Sequence, residues 1–121
     1  MLINFSIENW ISCRYKATLS MVTTEDTLYG KGIPKPAEHK IIILPTAAIF
    51  GGNASGKTNL FRALNFAKFM VNGFMPIDNI MTIDQFKLDT GKKTKLSKFV
   101  FELLINEKIF EFSFVLTSTE V

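Results

Sequence analysis

Over the first ten residues apolar and polar positions alternate. Ile3, Phe5 and Ile7 fall on one side and Asn4, Ser6 and Glu8 on the other, which predicts a strand from Leu2 to Trp10. Ala17, Leu19 and Met21 alternate with Thr18 and Ser20, predicting a second strand from Tyr15 to Thr23. The short link through Ser12, Cys13 and Arg14 leaves room only for an antiparallel pair. Residues 25–40 carry Gly30, Gly32, Pro34 and Pro36 among charged side chains and read as a loop. The pattern then changes. Ile41 to Leu44 and Thr46 to Phe50 are apolar with no polar face, which predicts a strand buried on both sides, its pairing limited by Pro45.

From Lys57 to Asn72 the period lengthens to that of a helix. Leu60, Leu64, Ala67 and Val71 form a stripe, with Arg62, Asn65 and Lys68 off it. Phe61, Phe66, Phe69 and Met70 widen that stripe, so burial on more than one side is expected, and Asn72-Gly73 supplies a stop. Residues 74–84 are irregular around Pro76, and 92–98 form a lysine-rich connector. Two further strands, Phe99–Ile105 and Ile109–Leu116, alternate with period two and meet at Asn106-Glu107-Lys108 as a hairpin. The order β-β-β-α-β-β predicts an α/β domain with mixed or antiparallel strands around a buried strand and one main helix.

The 121 residues are enough for one domain with a core of its own, and 47% hydrophobic with 21% charged residues is an ordinary globular balance. The aromatic content is skewed to phenylalanine, with 12 Phe against 2 Tyr and 1 Trp. A net charge of +3 is compatible with an acidic partner but does not require one. Cys13 is the only cysteine, so the chain can form no internal disulfide, which suits a reducing cytoplasm. The opening residues show no basic and apolar leader, and no apolar run approaches the length of a membrane span. A cytoplasmic chain without membrane attachment is the expectation.

Between the buried strand and the helix, Gly51-Gly52-Asn53-Ala54-Ser55-Gly56-Lys57-Thr58 matches the phosphate-loop pattern G-x-x-x-x-G-K-[ST] at every fixed position. Each fixed position has a physical reason. Phosphate oxygens are met by several backbone N–H groups converging on one point, so the loop must curl tightly. Glycines at 51 and 56 allow the angles and the close approach that a Cβ would block. Lys57 is a mobile charge able to reach the β- and γ-phosphates. Thr58 offers a hydroxyl to Mg²⁺, and the positive end of the helix faces the phosphates. Lys57 and Thr58 are therefore the candidate catalytic residues, and 51–58 the candidate cradle for ATP with Mg²⁺. A chance match in a chain of this length is roughly a one-in-several-hundred event.

The run from Gly51 to Thr58, continued by Asn59 and Leu60, resembles the Walker A of the SMC/RecF/OLD branch of ABC-type ATPases. Phe5 to Trp10 followed by Leu19-Ser20-Met21 is similar to that branch's opening strand pair. Gln85 to Asp89, Phe99 to Glu102 and Phe110 to Phe112 look like the segment after the loop helix in the RecF/OLD-like AAA-family ATPases of bacterial phage-defence and retron systems. The resemblance implies the N-terminal lobe of a P-loop NTPase of ABC-ATPase type. It also implies that Asn59 belongs with the nucleotide site, that ATP drives homodimerisation, and that DNA or RNA and a nuclease or effector partner are involved. Two departures accompany it. Ile11 stands where many members carry Arg, with Arg14 a candidate substitute. After residue 58 no apolar run ends in Asp-Glu as a Walker B does, and no Ser-Gly-Gly signature appears. Residues 1–121 are accordingly expected to be the N-terminal part of a longer ATPase domain, binding ATP without efficient hydrolysis.

Other candidates have plainer readings. Gln85 is a secondary Mg²⁺ candidate with the short spacing and loop-like neighbours of a surface glutamine. His39 reads as solvated and Cys13 as a small buried side chain. Asp78, Asp84 and Asp89 fit no calcium-loop spacing. Lys92, Lys93, Lys95 and Lys98 read as a solvated connector rather than a nucleic-acid contact. Two other functions remain open on the sequence: a self-contained P-loop kinase or GTPase, against which no guanine motif is present, and a non-catalytic interaction domain with a relic loop.

Overall fold

The computed structural model describes residues 1–23, 41–73 and 96–117. Four strands and one helix account for most of them: β1 Leu2–Glu8, β2 Ala17–Ser20, α1 Lys57–Asn72, β3 Ser97–Ile105 and β4 Lys108–Leu116. The strands form one sheet in the order β2-β1-β3-β4, every neighbouring pair antiparallel. The expected β1–β2 pair and β3–β4 hairpin both form. The central pairing of β1 with β3, which sets Phe5 beside Phe101 and Ile7 beside Phe99, joins the two ends of the described chain.

Alternation along β1 and β3 decides which sheet face is dry. Ile3, Phe5 and Ile7 point one way and are at most 2% exposed, as does Phe99, which is fully buried. The other face is polar. Asn4 donates to the Glu102 carboxylate at 2.5 Å, and the Ser6 and Thr18 hydroxyls lie 2.8 Å apart across β1 and β2. Helix α1 packs on the apolar face through Ala63 and Ala67, both fully buried, with Leu60, Leu64 and Phe66 around them. Gly73 ends the helix in the left-handed conformation (φ 68°), its N–H bonding the Met70 carbonyl, as the Asn72-Gly73 stop predicts. The turn between β3 and β4 is two residues, Asn106 and Glu107, both with positive φ (49° and 62°), the form whose twist matches a hairpin.

Four expectations need correction. The strands stop short: β1 ends at Glu8 because Asn9 turns to φ 53°, and β2 covers only Ala17–Ser20. The hairpin strands instead gain residues, β3 taking in Ser97 and Lys98, which the lysine connector had claimed. The apolar run 41–50 is not a strand buried on both sides. Ile43 makes a single antiparallel bridge to Val22, flanked by Leu44 N–H to the Met21 carbonyl (2.7 Å) and Thr23 N–H to the Ile42 carbonyl (3.0 Å). Beyond Pro45, which has no N–H to donate, the segment has no strand neighbour among the described residues, and Phe50 is 91% exposed. The helix is also buried on one side only among those residues, since Phe61 (57%), Phe69 (47%) and Val71 (43%) face out. Likewise β4 is a partly open edge: Phe114 stacks on Phe99 at 4.9 Å, but Phe110 and Phe112 are 49% and 44% exposed.

Candidate functional site

The 51–58 loop leads from the end of the 41–50 segment into α1, and its curl is local. Ala54 has φ 61° and Gly56 φ 90°, two left-handed residues that reverse the chain, with the Ser55 N–H directed to the Gly52 carbonyl at 3.4 Å. Gly56 serves as N-cap without offering a side chain, and the first turn holds no acidic residue. The N–H groups there are therefore left for something outside the helix. The Leu60 N–H closes the first helical bond to the Gly56 carbonyl at 3.1 Å.

Lys57 folds back over this curl. Its Nζ donates to the carbonyls of Gly51 (2.6 Å) and Gly52 and to the Ser55 hydroxyl (3.1 Å), so an ammonium stands at the centre of the loop. The glycine requirement is uneven. A Cβ at Gly51 would lie 2.6 Å from Ser55 Oγ and 3.7 Å from Lys57 Cδ, inside the curl, whereas one at Gly52 would meet nothing within 4 Å. Gly51 is needed for space, Gly56 for its backbone angle. Asn53 and Ala54 are exposed at the apex, and Thr58 is exposed on the first helical turn. A concave backbone with one cation in it and an uncapped helix start behind it suits a compact anion with several oxygens. The residues thus fit a polyoxygen anion such as the phosphates of a nucleotide.

The structure also brings up a residue that the sequence reading treated only as a linker. Trp10 and Cys13 bond each other reciprocally (Trp10 N–H to the Cys13 carbonyl at 3.0 Å, Cys13 N–H to the Trp10 carbonyl at 2.7 Å), leaving Ile11 and Ser12 at the tip of a tight turn. Ser12 Oγ accepts a hydrogen bond from Asn59 Nδ2 at 3.1 Å and would lie 3.6 Å from a Cβ on Gly56. Asn59, expected at the nucleotide, is thus engaged with the hairpin tip. Only the pairing of two polar residues far apart in sequence could have signalled this, and one sequence does not contain that signal. Arg14, the candidate substitute for the missing arginine, stacks on Tyr15 at 5.3 Å and lines a cleft with Glu8, Asn9, Leu96, Lys98 and Val115, none of them loop residues. Cys13 is half-buried. Gln85, His39, Asp78, Asp84, Asp89, Lys92, Lys93 and Lys95 lie outside the described residues. Among the described residues no group of three or more His, Cys, Asp or Glu could hold a metal, and no helix is long and apolar enough to cross a membrane.

A family model described as "AAA domain, putative AbiEii toxin, Type IV TA system" matches residues 47–121, more than half of the chain. No curated protein and no solved structure matches it. The matched stretch takes in the glycine loop, α1 and the β3–β4 hairpin. Lys57 at the centre of that loop, the uncapped helix start and the family match agree, and the chain belongs to this family of AAA domains, ATP-binding proteins of the P-loop NTPase fold.

Proposed function

We propose that this chain is the ATP- and Mg²⁺-binding segment of an SMC/RecF/OLD-like ATPase acting in a process on DNA or RNA such as phage defence or repair. The observation that carries the reading is the Lys57 ammonium held inside a curl from which Gly51 excludes any Cβ. Backbone N–H groups from Gly52 to Thr58 would meet the phosphates, Lys57 would exchange its carbonyl partners for phosphate oxygens, and Thr58 would hold Mg²⁺. Asn53 and Asn59 favour ATP through the resemblance they carry. Bound Mg²⁺ supplies the charge that neutralises the phosphates during transfer.

Turnover needs more than this loop. No apolar run ending in Asp-Glu follows residue 58, so the acid that activates water comes from another segment or subunit of a homodimer. The resemblance of the loop to the SMC/RecF/OLD branch implies a second protein, a nuclease or effector, acting with the ATPase. Membership of an AAA-domain family favours this reading over a kinase or GTPase. The test is equilibrium binding of Mg·ATP to the chain and to Lys57→Ala, with phosphate release measured in parallel. Binding by the unaltered chain that Lys57→Ala loses, without appreciable phosphate release, is expected. Equal binding by both would point to a relic loop, and efficient turnover would overturn the need for an acid from elsewhere.

A further inference from the structure

The turn at 10–13 touches α1 at two heights. At its tip Ser12 Oγ meets the Asn59 amide (3.1 Å), and at its base the Trp10 ring lies 4.7 Å from Phe66. Asn59 and Phe66 are seven residues apart, two turns of one helix face, so the contacts run as a line up α1. The base of the turn is packed into the core. Trp10 is only 4% exposed and sits edge-on to Phe99 at 5.1 Å, while Asn9 is buried with its carbonyl bonded by Ser97 Oγ at 2.6 Å. Ile11, at φ 44°, turns the tip through a left-handed angle that β-branched residues rarely adopt. The tip thus links the sheet to the first turn of α1 through the Ser12–Asn59 bond, beside Gly56, where a Cβ would lie 3.6 Å from Ser12 Oγ.

From this we infer that Ser12 and Asn59 form a positioning pair for the nucleotide site, locking the helix start, and with it Lys57 and Thr58, at a set angle to the sheet. Neither side chain is assigned a contact with ligand. The inference rests on the nucleotide reading above. It assigns Asn59 to orienting the loop, and it brings in a residue from the β1–β2 connection that the G-x-x-x-x-G-K-[ST] pattern does not contain.

A double-mutant cycle on the full chain tests it, with Mg·ATP and Mg·tripolyphosphate as the two probes and melting temperature measured alongside. Ser12→Ala and Asn59→Ala should each weaken both probes about five-fold, the worth of one neutral hydrogen bond. The double variant should be no weaker than the poorer single one, because the same contact is removed twice. Ser12→Thr, which keeps the hydroxyl, should retain the original affinity, and no variant should melt early enough to be unfolded at the assay temperature. Tripolyphosphate separates loop orientation from base contacts: a loss confined to ATP would overturn the inference. So would affinities within two-fold of the unaltered chain, losses that multiply in the double variant, or losses seen only in partly unfolded protein. If Lys57→Ala abolishes binding while Ser12→Ala and Asn59→Ala do not weaken it, the pair fails and the phosphate cradle stands. No binding by the unaltered chain takes both down.

Discussion

Around Phe5 and Phe99 the chain is held by apolar contact, both rings being fully buried against β1, β3 and α1. From Pro45 to Ser55 every residue except Ile49 is exposed, and shape is held instead by backbone angles at Ala54 and Gly56 and by three hydrogen bonds from Lys57. The two regions meet at α1, whose first turn belongs to the loop and whose middle belongs to the core. In the first, free energy comes from area removed from water, so volume matters and charge chemistry does not. In the second there is almost no area to bury, so single atoms matter: one ammonium, one absent Cβ. A binding loop built this way can reorganise around a ligand without disturbing the core beneath it.

The sharpest separation of the two comes from a change in the core. Phe99→Ala removes a ring that touches Trp10, Phe66 and Phe114 and should cost about 4 kcal/mol in urea denaturation. Loss of Mg·ATP affinity beyond the unfolded fraction should not exceed the roughly five-fold expected for Ser12→Ala, since Phe99 reaches the loop only through the Trp10 base of the 10–13 turn. Lys57→Ala is the converse. It should lower Mg·ATP affinity about a hundred-fold, roughly 3 kcal/mol of charge-assisted bonding, with a stability change under about 0.5 kcal/mol. A large fall in stability would mean that the lysine holds the loop in the fold rather than serving a ligand.

The loop's own geometry gives a finer contrast. Gly51→Ala drives a Cβ against Ser55 Oγ and should weaken Mg·ATP about ten-fold, whereas Gly52→Ala, with open space around it, should stay within about two-fold. Equal losses at both would mean that flexibility, not space, is what the glycines supply. The smallest effect lies on the polar sheet face, far from either region. Glu102 and Glu111 are directly opposed on β3 and β4, so Glu111→Lys should stabilise the fold by about 0.5 kcal/mol, more at low salt than at high, without altering nucleotide affinity.

How much of this could be read in advance depended on range. The helix bounds Lys57–Asn72, the Gly73 stop and the hairpin near Asn106 came through because each is set within a few residues, although the turn is one residue shorter than the expected Asn106-Glu107-Lys108 link, with Lys108 paired in β4. The loop's pattern is legible for the same reason, since it is written in eight consecutive residues. The apolar run 41–50 misled because hydrophobicity states a demand for burial without naming the strand that would meet it, and among the described residues only Val22 bridges to it. Phe61 and Phe69 misled in the same way.

The sequence by itself determined the phosphate-loop pattern, the helix behind it and the inward side of β1, all of them short-range properties of the chain. Only the tertiary structure decided that β1 lies between β2 and β3, bringing Phe5 beside Phe101 across the length of the chain. It alone carried the 10–13 turn onto α1, where Ser12 meets Asn59. Such pairings depend on which surfaces can be buried together once the chain has closed on itself, and that choice is made by the whole fold rather than by any one stretch of residues.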